Sequence, residues 1–238
     1  MQLRYLGDSH DYIELFLLRH FHGILHCRLG VNWYLTEPED NDDGEQRHYL
    51  NEPEWERLDR ELLHKLRAFQ KRENRTFAVF ESAGVLPAGT LYYKSKVSPR
   101  GRRQLWHECA MESLKLADLI FLDQDNGFQV NSMTARTEPK YALYEEAVEY
   151  LKLGKIIVAI QFARQCKPIQ RGNEVRDKLL LSVGSSRICR IVRGRVAPNI
   201  LFLVASTPAL AGEVGSALET FEAKSPILRG RRRVELIE

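Results

Sequence analysis

Along the chain the spacing of apolar positions switches repeatedly between a helical period and a strand period. Residues 10–22 set Tyr12, Ile13, Leu15, Phe16, Leu17 and Phe21 at near-helical spacing, and Asp8 or Ser9 just before them is placed to cap the first turn. "VNWYLT" (31–36) is β-branched and aromatic and reads as the first strand, ending in the loop-like "EPEDNDDGE". Over 52–72, Trp55, Leu58, Leu62, Leu63, Leu66 and Phe69 share one stripe with charges opposite, which predicts a single amphipathic helix. "TFAVFES" (76–82) reads as a strand, 103–117 as a helix, and "DLIFLD" (118–123) as the strand that follows. Beyond it, 141–154 predicts a helix closed by Gly154, and "KIIVAIQF" (155–162) a fully buried strand. The pattern then predicts a helix over 173–183, strands at 187–193 and 199–207, and a last helix at 208–224 that its glycines weaken.

Strands alternating with helices imply an α/β fold with a mostly parallel, Rossmann-like sheet and helices on both faces. No repeat, low-complexity tract or linker interrupts 1–238, so one domain is expected. A chain of 238 residues, 44% hydrophobic, can bury a sizeable core, and Trp33, Trp55 and Trp106 fall on its apolar faces. No window approaches the roughly 18 apolar residues of a membrane span. The opening "MQLRYLGDSHDY" is too acidic and polar for a signal peptide. A cytoplasmic protein without a membrane partner is expected. Cys27, Cys109, Cys166 and Cys189 form no CxxC pair, so they read as reduced, mostly buried thiols with no zinc site among them.

The net charge of +3 is small, but its distribution is uneven. "YYKSKVSPRGRR" (92–103), "RICRIVRGR" (187–195) and "RGRRR" (229–233) gather positive charge, whereas 37–61 is acidic. Were Lys94, Lys96, Arg100, Arg102, Arg103, Arg187, Arg190, Arg193 and Arg195 to hold a phosphate backbone, they would have to converge on the face that carries the reactive acids.

Those acids are best seen in "FLDQDNG" (121–127), where a strand ends in Asp123 and Asp125 before a glycine turn. In an open parallel sheet, loops at the carboxyl ends of neighbouring strands share one crevice, so this turn and the acidic loop 37–45 are expected to face each other. Together, with Asn126, they could bind a divalent cation such as Mg²⁺ through oxygen ligands or hold the hydroxyls and amines of a ligand. No complete metal-ligand set is assigned, because an EF-hand aligned on Gly44 would end on Leu50 rather than an acid. Triphosphate-binding, dinucleotide-binding and serine-hydrolase glycine motifs are all absent. His10, between Asp8 and Asp11, is a general-base candidate, and Lys140 could neutralise an anion near Asp123 and Asp125.

The segments "YLGDSHDYIELFLLRHF", "VNWYLTEPEDNDDG", "LIFLDQDNG" and the "KY" before the next helix resemble a bacterial group whose turn usually reads D-P-D-N-G. More distantly they resemble class I methyltransferase-like Rossmann proteins of the ribosomal RNA adenine-N6 type. That resemblance implies Asp123 as acceptor of a hydrogen bond from a target amine, with the Gln124 carbonyl doing the same. Asn126 stands where that type stacks an aromatic ring on a flipped base. It further implies S-adenosylmethionine as cofactor, for which Asp42, Asp43, Gly44, Asp8 and His10 are the candidate site; the charge clusters make Lys94, Lys96, Arg100, Arg102, Arg103 and Lys140 the candidates on nucleic acid. The function expected on this basis is a methyltransferase-like enzyme acting on a nucleic acid or nucleotide. The alternatives are a Mg²⁺- or Mn²⁺-dependent phosphodiesterase or nuclease, and a degenerate Rossmann domain that only binds nucleic acid or joins an assembly.

Overall fold

The computed structural model describes residues 1–39, 47–163, 166–184, 188–225, 227–228 and 231–237. Asp42, Asp43, Gly44 and Arg187 therefore lie outside the described residues. The strands are β1 (Leu29–Asn32), β2 (Leu91–Tyr93), β3 (Leu119–Leu122), β4 (Ile156–Phe162), β5 (Ile188–Gly194) and β6 (Ile200–Ser206). They are followed by β7 (Ile227–Leu228), β8 (Arg231–Arg232) and β9 (Val234–Ile237). β7 and β8 pair as a short antiparallel ribbon, and the other strands form one seven-stranded sheet in the order β2-β1-β3-β4-β6-β5-β9.

The fold is α/β, but only β2, β1, β3 and β4 run parallel; β6, β5 and β9 join antiparallel. The mostly parallel sheet is thus corrected to a mixed one, for a reason of chain length. A parallel crossover needs a dozen or more residues, whereas only residues 195–199 separate β5 from β6, so the chain turns back as a hairpin.

Helices α1 (Ser9–Leu25), α2 (Pro53–Glu56), α3 (Arg60–Leu66), α4 (Phe77–Ser82), α5 (Arg103–Ser113), α6 (Tyr144–Lys152), α7 (Pro168–Val183) and α8 (Ala211–Lys224) cover the sheet. Phe16 and Phe21 of α1, Leu62 of α3, Phe80 of α4 and Phe221 of α8 pack in one core with Leu119 and Phe121 of β3. Ile120 and Leu122 turn to the other face, onto Trp106 of α5, Ala147 of α6 and Leu179 of α7. Trp33, Trp55 and Trp106 are all buried, as expected of core residues.

The single helix expected over 52–72 breaks at Asp59, whose carboxylate accepts the Leu62 amide at 2.9 Å and so starts α3. Residues 76–82 form α4 rather than a strand, because the Thr76 hydroxyl caps the Val79 amide. β1 begins at Leu29 and its ladder stops at Asn32; beyond it, Leu35 only bridges Lys96. Of the cysteines, Cys27 and Cys189 are buried while Cys109 and Cys166 are exposed, and all four are free. No helix among the described residues is long and apolar enough to cross a membrane.

The chain leaves β1 for β2 on one side and returns to place β3 on the other. The carboxyl ends of β1 and β3 therefore flank a topological switch point, where open α/β sheets hold their ligands.

Candidate functional site: a buried carboxylate cluster

Asp123 follows the last residue of β3, and its side chain takes the same alternation as Leu119 and Phe121, toward α1. There it meets acids that recur every third residue. Asp8 is the N-cap of α1 and accepts the His10 and Asp11 amides at 2.8 and 3.0 Å. Asp11 accepts the Gly7 amide at 2.7 Å. Gly7 is fixed as glycine by φ +78° and by Phe69, whose Cβ would lie 2.6 Å from an added methyl. One turn further, Glu14 is 5% exposed and accepts no hydrogen bond from a described residue.

Burial and crowding decide the protonation of these groups. Burial, reinforced by Asp8 and Asp123, holds Asp11 well above the carboxylate range. Burial, then Asp123, Asp11 and Asp8, does the same to Glu14. Burial pushes Asp123 up to about 7; the Met1 ammonium pulls it down, and Asp125 and Asp8 push further up. Oδ2 of Asp123 has no hydrogen-bond partner. Asp125 behaves oppositely. Burial opposes its ionisation, yet the Met1 ammonium at 2.8 Å, the Thr36 hydroxyl at 2.7 Å and Lys140 hold it below its ordinary value. Two neighbouring acids are thus shifted in opposite directions. An acid that titrates near 7 is matched to proton transfer.

The turn that presents them is pinned from below. Gly127 has φ +91°, and an added Cβ would sit 2.4 Å from Oε1 of Gln161, the oxygen that accepts the Phe128 amide. Gln124 donates to the Ile160 carbonyl at 2.7 Å and leaves its own Oε1 unpaired. Asn126 is half-buried and is tied to Lys140 through its backbone, whose amide donates to the Lys140 carbonyl at 2.9 Å. On the opposite sheet face, Asn32 is fully buried beside the Tyr150 hydroxyl.

Of the residues singled out from sequence, Asp8, Asp123 and Asp125 do gather at one place. The described part of the acidic loop adjoins them, since Thr36 bonds Asp125 and Lys140 pairs with Glu39. His10 stands at the margin, with Nδ1 3.8 Å from Asp8 and Nε2 bonded to the Pro198 carbonyl at 2.9 Å. Asp11 and Glu14 were not singled out as site residues, although acids at positions 8, 11 and 14 within an apolar run are a signal that the pattern of α1 contains. As the side chains stand, no three acids, histidines or cysteines among the described residues converge on one ion.

The basic residues expected on nucleic acid are mostly engaged elsewhere. Arg103 is buried and forks onto Glu146 at 2.5 and 2.9 Å, with Tyr34 donating to the same carboxylate. It is a structural ion pair, not a free phosphate ligand. Lys94 pairs with Glu81 at 2.5 Å, Lys96 with Glu37 at 2.7 Å, and Lys140 with Glu39. Arg102 is exposed. Arg100 begins the short turn before α5, and its side chain lies outside what the structure describes. The segments 92–103 and 187–195, expected to converge on the face of the acids, stand apart in the sheet. Segment 92–103 lies by the β2 edge, roughly 24 Å across the sheet from β5 at about 4.8 Å per strand. Arg193 and Arg195, by contrast, share a cleft of about 1260 Å³ with Arg231, Arg232 and Arg233. Comparison with known proteins found no matching family model, no matching curated protein and no matching solved structure.

Proposed function

We propose that this chain is an enzyme that hydrolyses phosphate esters of nucleotides or nucleic acid, with a divalent cation drawn into the carboxylate cluster. The observation that carries the reading is the trio Asp11, Glu14 and Asp123: each is nine-tenths buried or more, and burial together with neighbouring carboxylates raises the pKa of each. Buried acids without sufficient donors are costly. Asp11, Glu14 and Asp123 would be the ligands of a Mg²⁺ or Mn²⁺ ion, whose charge would offset that cost once their carboxyl protons had left to water. The ion would polarise a phosphoryl oxygen and lower the pKa of a bound water. Asp123 would then be a ligand or the acceptor of that water's proton.

The methyltransferase-like reading uses the same carboxylate differently, as acceptor for a substrate amine with S-adenosylmethionine as donor. The position of Asp123 beside the switch point favours it. Less favourable is the segment after β1, where Trp33 and Tyr34, both buried, stand in place of a glycine-rich turn.

Labelled single- and double-stranded DNA, RNA and cyclic nucleotides incubated with Mn²⁺ test the proposal. Turnover is expected with the metal and lost in Asp123→Asn, and calorimetry with Mn²⁺ alone should show heat that Glu14→Gln abolishes. Inertness toward every substrate together with no Mn²⁺ heat refutes it. Heat on adding S-adenosylmethionine, lost in Asp123→Ala, would move the conclusion to the second reading.

A further inference from the structure

We infer that the arginine-lined cleft between the β5–β6 hairpin, the segment 48–57 and the arm 231–233 is where the chain holds the phosphate backbone of a nucleic-acid strand. This deepens the reading above, on which it rests for the identity of the ligand. Arg57, Arg193, Arg195, Arg231, Arg232 and Arg233 line a space of about 1260 Å³. They face Glu52 and Glu54 in the lining and Glu235 behind it, an excess of three positive charges among these described residues.

The six arginines divide into holders and donors. Glu235 pairs with both Arg193 at 3.0 Å and Arg195 at 2.5 Å, and Glu54 pairs with Arg233 at 2.5 Å. Arg232 is spent on the carbonyls of Glu222, Ala223 and Ser225. Arg57 and Arg231 are exposed and form no ion pair among the described residues. Nε of Arg195 and Nε of Arg233 are buried donors without an acceptor. Guanidinium planes held in place by carboxylates and carbonyls, beside the exposed Arg57 and Arg231, suit phosphate oxygens.

Size and lining select the ligand class. The space exceeds the roughly 300–1,000 Å³ of ordinary small-ligand pockets, so it suits several linked nucleotides better than one. Trp55 is buried beneath the Arg233 guanidinium, 4.7 Å from its ring centre, and offers no face for base stacking. Contact is therefore with phosphates, without sequence preference. The cleft also borders the acids: Ser9 of α1 lines it, between Asp8 and the rest of the first turn, and the Tyr49 hydroxyl donates to the Gly7 carbonyl at 3.0 Å.

Fluorescence polarisation of a labelled DNA oligonucleotide, single-stranded and as a duplex, across a salt series tests this. Arg57→Ala with Arg231→Ala, both at exposed positions, should lower the slope of log affinity against log salt by about 1.4 to 1.8 and weaken binding on the order of tenfold at about 0.1 M salt. Lys94→Ala with Lys96→Ala, at the far sheet edge, should change neither. No binding at low salt, an unchanged slope in the arginine variant, or competition by a nucleoside diphosphate at equal potency overturns the inference. Asp123→Asn should still bind the strand. Binding without turnover in the wild type counts against the hydrolytic reading alone, and turnover without a cleft effect counts against the cleft alone.

Discussion

Replacing Asp123 by Asn should make the protein more stable, and increasingly so as pH rises. Asp123 ordinarily titrates near 3.8, and burial carries it to about 7 in the folded chain. Between those values the folded state binds more protons than the unfolded state, so stability falls as pH rises through the window and levels off above it. At about 1.4 kcal/mol per pH unit, the Asp123 penalty grows by about 3 kcal/mol between about pH 5 and about pH 8. Asn has the same shape and no charge. Whatever its buried amide costs is the same at both pH values, so the change in the stability difference isolates the carboxylate. Urea unfolding of wild type and Asp123→Asn, followed by tryptophan fluorescence and circular dichroism over that range, should show curves that diverge by about 3 kcal/mol, with the variant ahead at alkaline pH. Asp11 and Glu14 shift in the same direction, so the variant retains part of the pH slope after Asp123 is removed. Parallel curves, with a difference constant within about 0.5 kcal/mol, would refute the reading of Asp123 as an acid driven neutral by its surroundings.

Arg103→Met should cost about 3–5 kcal/mol, because it leaves Glu146 buried without its cation, and Glu146→Leu in the same chain should recover most of the loss. Thermal midpoints decide it: a drop of roughly 10 °C or more is expected of the single variant, and a loss under about 1 kcal/mol would refute the buried pair. A disulfide-exchange reagent at mildly alkaline pH should label Cys109 and Cys166 in the folded protein. Cys27 and Cys189, whose thiols burial pushes up to about 11 and about 12, should react only after unfolding, as counted by mass spectrometry.

What could be read from the sequence depended on how far local pattern and tertiary context agreed. β3, β4 and β6 were legible because long apolar runs between turn residues fit only buried strands. α4 was not, since a six-residue run with two phenylalanines and a valine suits either period, and one hydroxyl, that of Thr76, settles it. β9 was missed because four residues after an arginine run carry almost no pattern, and its strand character comes from pairing with β5. In the site, Asp123 could be found from its place after a strand. Glu14 could not be weighed until α1 was seen to bury the face that carries it. The ion pairs that remove Arg103 and Lys94 from the nucleic-acid list join residues far apart in sequence, so no local reading reaches them.

The two halves of the carboxylate cluster come from the first helix and the third sheet strand, separated in sequence by all of β2 and its flanking helices. Their repulsion is therefore absent from the unfolded chain and from any intermediate in which α1 has formed alone, and it arises only as α1 closes over β3. A cost that arises after the folding barrier acts on the unfolding rate more than on the folding rate. In kinetic terms the cluster is then a spring compressed when the two elements meet: with that contact formed beyond the barrier, raising the pH should shorten the lifetime of the folded state while leaving the time needed to reach it nearly constant.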